Sequence, residues 1–576
     1  MRVWAPRASA VDLVLENGDP RPMDRGDDGW WSTRTLPPGT RYRYSVDHGP
    51  LLPDPRSAWQ PEGVDGWSAT VDHAAFDWRD GEWHGPVPMA AAVVYELHVG
   101  TFTPEGTFDG VIAKLDHLRD LGVTHVELMP VNEFPGDRGW GYDGVLLWAP
   151  HHAYGGPEGL KRVVDACHQR GLAVVLDVVY NHLGPSGNHL ASFGPYFTDR
   201  YVTPWGDAVN LDGPGSDEVR RFFVDNALMW LRDYHVDGLR LDAVHALLDT
   251  SATHLLEQLA VEVDSLAAHV GRSFQLIAES DLNDPRVVAR REVGGYGVAA
   301  QWSDDFHHAL HSVLTGEREG YYADFGGLGR LATALRQAYV YAGEHSPHRG
   351  RAHGRPPVGI PGWRFLGYLQ NHDQIGNRAT GDRVSASVSE GRLRIGAALV
   401  ALGPFVPMLF MGEEWGTRRP FPYFTDHPDP ELATAVREGR RREFEAFGWR
   451  PEDVPDPQDQ ATAASAILDW NTDGSGPDPE ALAWWKQLLL MRRSYPELTD
   501  GRLDRVDVRC DETAGTLVVR RGRITLAANL GPRPEGVDVD RGAGSPRVLL
   551  AYPRDANPDA LNVDSVVIMD NAPTVV

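Results

Sequence analysis

Cysteine is nearly absent: Cys167 and Cys510 are the two in the whole 576-residue chain. A pair so far apart in sequence offers neither a disulfide framework nor a thiolate zinc site. Both read as plain buried thiols. Long hydrophobic runs are missing too. No stretch reaches the ~18 apolar residues of a membrane helix. The opening MRVWAPRASAVDLVL carries no long apolar run ahead of a cleavage site, so no membrane partner is expected and the cytoplasm is the expected compartment. Positive charge is scarce, with 55 Lys and Arg against 81 Asp and Glu, a formal charge of −26. Such a surface repels phosphate backbones and argues against a nucleic-acid partner. A neutral substrate fits it without strain.

The chain does have length and apolar mass. At 576 residues it exceeds one ordinary domain, and a barrel with insertions plus two smaller domains accounts for it. Its apolar content of 42% is enough to bury a sizeable core. The 18 tryptophans read mostly as part of that core.

The first 85 residues or so read as short strands broken by Gly, Pro and Asp, with near-alternation at Val11–Leu15 and 42–46. The Trp-, Gly- and Pro-rich stretch 77–88 marks a boundary. Eight apolar runs follow, at 93–100, 123–131, 172–179, 238–244, 274–279, 299–304, 365–373 and 406–412. Helix-like segments lie between them, among them 110–121, 157–170, 217–234 and 328–342. Near-continuous apolar strands suit a parallel sheet covered by helices. Eight of them alternating with helices predict an α/β fold of the (β/α)₈ TIM-barrel type, although periodicity alone leaves an open doubly wound sheet possible. A further helix is expected over 479–495, and short strand-like pieces return from 502 to 576. The loop-like, locally basic segment 344–361 (HSPHRGRAHGRPPVG) precedes the seventh run, where it is either a rim loop touching substrate or plain solvated surface.

Barrel enzymes place their chemistry at the C-terminal ends of the strands, and several of these runs end in charge. The fourth reads GLRLD. Side chains alternate along a strand, so Arg240 and Asp242 share a face. A carboxylate beside a buried guanidinium stays ionised, as a glycosyl nucleophile must. The fifth, FQLIAES, delivers Glu279 from apolar surroundings that raise a carboxyl pKa, which suits a general acid. The seventh ends in His372 and Asp373. The third, VVLDVVYNH, carries Asp177, expected to pair with Arg240, and then Asn181 and His182. Each signal alone is as well explained by a structural ion pair or a rim histidine. Four strand ends in order are not, and two carboxylates flanking a glycosidic bond are the machinery of glycoside hydrolysis.

DVVYNH at 177–182, GLRLDAVH at 238–245, IAES at 277–280 and QNHD at 370–373 resemble the signature regions of the α-amylase superfamily, glycoside hydrolase family 13. The resemblance implies Asp242 as nucleophile, Glu279 as acid/base and Asp373 as transition-state stabiliser. It places Arg240, His182 and His372 around the reacting sugar, with Tyr142 of GWGYDG stacked on it and Asp143 nearby. The VWAP strand looks like the immunoglobulin-like β-sandwich that precedes the barrel in branching, debranching and trehalose-releasing members. The implied domains are therefore a sandwich at 1–85, the barrel at 86–498 and a small C-terminal β domain at 499–576.

Longer strings, among them EFPGDRGWGYDGV, APHHAYGGPEGLKRVVDACH, WSDDFHH, YLQNHDQIGNR and PFPYFTDH, are most similar to the trehalohydrolases that act on maltooligosyltrehalose. The similarity runs from the first residues to about Phe447 and more loosely beyond. It implies retaining hydrolysis of the α-1,4 bond next to a terminal trehalosyl unit, releasing trehalose. The implied partners are maltooligosyltrehalose and other α-1,4-glucan oligosaccharides, and the expected assembly is a monomer or homodimer. By the same resemblance the cleft is lined by Arg240, Leu241, Ala243, Val244 and His245, by Asp304, Asp305, Phe306, His307 and His308, and by His372, Gln374, Ile375, Gly376 and Asn377. No cofactor and no metal are expected. A branching enzyme and a general α-amylase-type hydrolase are the nearest alternatives. A non-catalytic barrel would usually have lost one of the three acids.

Overall fold

The computed structural model describes residues 1–445, 450–471, 476–539 and 546–571. Phe447 and the tail of the chain, 572–576, fall outside these residues. Eight parallel strands close into a barrel, with every neighbouring pair in parallel register. They are β1 (Val94–Leu97), β2 (His125–Leu128), β3 (Ala173–Val178), β4 (Gly238–Leu241), β5 (Gln275–Ala278), β6 (Ala300–Trp302), β7 (Phe365–Tyr368) and β8 (Val406–Phe410). All their residues are buried, which is why the sequence shows continuous apolar runs rather than alternation.

The strands are shorter than the runs that announced them. β6 ends at Trp302 because Asp304 already opens the helix Asp304–Thr315. The helix expected over 328–342 stops at Gln337, where Ala338 takes a φ of +66°. Beyond it the amides of Val340 and Tyr341 donate to Asp305 instead of continuing a helical ladder, at 2.6 and 3.2 Å. The segment expected as one helix over 110–121 is two, Phe108–Ile112 and Leu115–Leu121.

Before the barrel lie two antiparallel sheets. One joins Arg2–Trp4, Trp30–Ser32 and Asp24–Arg25, and the other is built on Val11–Leu15 and Arg41–Val46. Their inward residues, Val3, Trp4, Trp31, Tyr42 and Tyr44, belong to the same apolar cluster as the barrel's helices. After the barrel, helix Pro479–Ser494 begins with Asp478 capping the Glu480 amide and Pro479 in the first turn. A five-stranded antiparallel sheet follows, from Val506–Asp511 to Ser565–Asp570. Arg521 on that sheet is buried, and its guanidinium donates to the carbonyls of Gly403, Leu498 and Asp500 at 2.6 to 2.8 Å. One side chain thus ties the last sheet to the segment entering β8.

Candidate active site

Arg240 organises the mouth of the barrel. It is the third residue of β4 and pairs in register with Asp177 of β3, so both side chains leave the sheet on one face. Asp242, two residues on, shares that face. Arg240 Nη1 donates to Asp177 Oδ2 at 2.7 Å and to Asp242 Oδ1 at 2.8 Å, while Nη2 lies 2.9 Å from Glu279 Oε2. The Trp302 ring lies 4.1 Å from the guanidinium carbon, a cation–π contact. A guanidinium with no exposed surface is tolerable only with such pairing. Here one cation serves three carboxyl groups.

Those groups are held differently. Asp242 Oδ2 accepts from Asn181 Nδ2 at 2.7 Å. Burial alone would raise the Asp242 carboxyl, but Arg240, His182 and the Asn181 hydrogen bond outweigh it and hold it below the usual carboxylate range. Glu279 Oε2 accepts from the Ala243 amide at 2.8 Å. That amide is aimed by an unusual backbone, since Ala243 sits at φ +38° in the left-handed region. Burial, opposed by Arg240 and reinforced by the charges of Asp242, Asp373 and Asp304, pushes Glu279 well above its ordinary range. Asp373 lies in the first turn of helix His372–Gly376, where Asn371 forms a capping box with Gln374. Its Oδ1 accepts from Asn377 Nδ2 at 2.7 Å.

Aromatic and histidine side chains surround the acids. The Tyr142 hydroxyl donates to Asp177 Oδ2 at 2.6 Å, and its ring stacks on His372 at 5.0 Å. His372 Nδ1–H donates to Glu96 Oε1 at 2.5 Å. Burial opposes its charge, yet the Glu96 carboxylate raises the imidazole pKa. His182 contacts Asn181 and lies flat on Trp205 at 4.5 Å. Asp143 accepts from the Tyr423 hydroxyl at 3.2 Å. Asp304 accepts from Tyr368, and burial together with Asp281 and Asp373 pushes it up to about 7.

Most of the other residues expected in the cleft make side-chain contacts within the protein. Leu241, Val244 and Ile375 are buried among apolar neighbours. Asp305 holds Asn283 and the 340–341 backbone. Phe306 packs on Phe405, and His307 bridges the Leu369 carbonyl and the Tyr322 hydroxyl. His308 lies against Tyr321 and Phe325. Gln374 is spent on the helix cap. Gly376 packs directly on Trp140, where a Cβ would approach to 1.8 Å. His245 is half-buried and neighbours Asp281.

Sequence reasoning missed Glu96, Trp302, Trp205 and Tyr368. A Glu inside the buried strand VYEL was the one available signal. Among the described residues, Glu133, His151 and His152 bring metal-ligating atoms within 4.8 Å of one another. Glu133 Oε1 accepts from both imidazoles at 2.8 and 3.1 Å, and Oε2 from the His152 amide, so hydrogen bonds account for this buried carboxylate.

The family model of the alpha amylase catalytic domain matches residues 64–193, and that of a domain of unknown function, DUF3459, matches 501–568. Barrel, acids and matches together define a glycoside hydrolase of the α-amylase type. Within that class the similarity is close and nearly full-length. A malto-oligosyltrehalose trehalohydrolase of Arthrobacter ramosus is 53% identical over 96% of this chain and 95% of its own. One from Mycobacterium tuberculosis is 50% identical over 93% of each. The chain belongs to the malto-oligosyltrehalose trehalohydrolase family. A Salmonella typhimurium crystal structure, solved under a provisional alpha-amylase name, superposes with a TM-score of 0.91 at 39% identity, covering 99% of this chain and 97% of that one.

Proposed function

We propose that this site cleaves the α-1,4-glucosidic bond next to the terminal trehalosyl unit of maltooligosyltrehalose, by double displacement with retention. Family membership supports the substrate. The observation that carries the mechanism is the contrast between two carboxyls on one guanidinium, Asp242 held below the usual carboxylate range and Glu279 pushed well above it. Retention asks for carboxyl groups about 5–5.5 Å apart, and a single guanidinium reaching both favours that short spacing.

Asp242 attacks the anomeric carbon as the glycosidic C–O bond breaks, and Glu279 gives its proton to the departing oxygen of trehalose. Oε2 of Glu279 is engaged by two donors, the Ala243 amide and Arg240. The acid proton therefore belongs on Oε1. Glu279, now ionised, takes a proton from the water that opens the glycosyl-enzyme, releasing the shortened maltooligosaccharide. Asp373 stabilises the positive charge that develops on the ring. Tyr142, His182 and His372 contact the same sugar, and Asp143, Asp304 and His245 line the approach.

Two free cysteines fit the reducing cytoplasm as the place of work, and the chain acts as a monomer or homodimer. Among the described residues no helix is long and apolar enough to cross a membrane. The test is proton NMR of the capped substrate during turnover. Trehalose should appear together with the α-anomer of the new reducing end. First appearance of the β-anomer would reject the double displacement.

A further inference from the structure

The basic segment ahead of β7 has no part in the chemistry above. It forms one wall of an open cavity of about 720 Å³ on the barrel's flank, whose other wall is the segment following Asp284. None of the three acids lines it. Four arginines do, Arg286, Arg290, Arg355 and Arg364, and no carboxylate does. This is contrary to expectation in a chain of formal charge −26. Arg286 is neutralised by Asp284 at 2.6 and 2.8 Å. The other three are not. Arg364 Nη1 donates to the carbonyls of Val298 and Ala299 at 3.0 and 2.8 Å, and its guanidinium lies 4.6 Å from the Trp363 ring centre. The side chains of Arg290 and Arg355 make no hydrogen bond or ion pair among the described residues. Burial and the nearby Arg290 charge hold Arg364 below its ordinary range, and no carboxylate among the described residues pairs with either cation.

Guanidinium groups match phosphate oxygens in a forked geometry. Trp363, Ile360 and Pro361 add an apolar face beside them, and the volume suits a small ligand rather than a macromolecule. We propose that this cavity binds a phosphate-bearing small molecule with a flat ring face. Its phosphate sits against Arg290, Arg355 and Arg364, and its ring on Trp363. The site connects to the catalytic rim. The Arg355 amide donates to the carbonyl of Asn283, four residues along the chain from Glu279, at 3.0 Å, and Asn283 Nδ2 donates to Asp305 at 2.8 Å.

The test is titration calorimetry of the full chain with inorganic phosphate, glucose 1-phosphate and ADP. Chloride at equal ionic strength and maltose serve as controls. An organic phosphate should bind with a Kd of about 1 mM or tighter. A tighter value for glucose 1-phosphate identifies a sugar phosphate, and a tighter value for ADP identifies a nucleotide. The double variant Arg290→Ala/Arg355→Ala should weaken binding by roughly tenfold or more, the loss of a charge-assisted contact. Its hydrolysis of oligosaccharide should be unchanged. Trp363→Ala should weaken the organic probes and spare inorganic phosphate. No heat beyond the chloride control, or equal binding by the double variant, would overturn the proposal. Equal affinity for all three phosphates would overturn the ring platform.

Discussion

Glu279→Gln separates the proton of the acid/base from its shape. The amide keeps an oxygen for the Ala243 N–H and Arg240, so the local geometry should survive, while no proton remains to give. A positioned general acid is worth about 10²–10⁴-fold, which is about 2.7–5.4 kcal/mol at 1.36 kcal/mol per tenfold. The loss should be of that size in kcat/KM for a maltooligosaccharide, whose sugar leaving group needs the proton. It should be far smaller for a maltooligoside carrying a nitrophenol, which departs without one. The pH profile carries the same signature. Glu279 is raised well above its ordinary range, mainly by burial, so wild-type activity persists above the ordinary Glu range and is lost as pH rises through that raised pKa. The variant should show no such alkaline limb. Linkage gives a second sign. The folded protein holds this proton more tightly than the unfolded chain, so wild-type stability falls as pH rises above the ordinary Glu range, a loss the variant should escape. Equal rate losses on both substrates, or an unchanged alkaline limb, would refute the assignment.

Three further outcomes follow from the same geometry. Asp242→Asn should reduce hydrolysis to background while leaving the circular-dichroism spectrum native; surviving turnover would remove Asp242 as nucleophile. Arg240→Lys offers one nitrogen where two now reach Asp242 and Glu279. It should cost about 1–3 kcal/mol in urea unfolding, the cost of a buried acceptor left without its donor, and move the acid limb of kcat/KM upward as Asp242 loses the guanidinium hydrogen bond that helps hold it low. Gly376→Ala drives a methyl into Trp140. It should destabilise by about 1–3 kcal/mol and lower kcat by displacing the helix that carries Asp373; an unaffected melting temperature would count against that packing.

Much of the barrel was legible because its strands are buried on both faces and therefore read as unbroken apolar runs. A charge ending such a run stands out, which is how Asp177, Arg240 and Glu279 were found, and the alternation of side chains placed Arg240 beside Asp242. Glu96 stayed hidden for the opposite reason. It lies inside its run, and its partner His372 is 276 residues away. No local pattern distinguishes it from an ordinary strand residue. Trp302 was invisible as a site residue because a tryptophan under a guanidinium and a tryptophan in a core have the same sequence context. The end of helix Leu328–Gln337 was misplaced because Ala338 is a good helix former, and tertiary bonds to Asp305 override its preference. Resemblance named whole segments such as 304–308, whereas a helix can turn only one face to the cleft. His307 hydrogen-bonds Tyr322 and Phe306 packs on Phe405, contacts that the sequence of the segment does not reveal.

The most direct measurement compares kcat/KM for one maltooligosaccharide with and without a trehalosyl end. The account predicts free trehalose from the capped chain and a much lower kcat/KM for the plain one. Equal cleavage of both would contradict it and mark a general α-amylase-type hydrolase, and longer or branched products would mark a transferase.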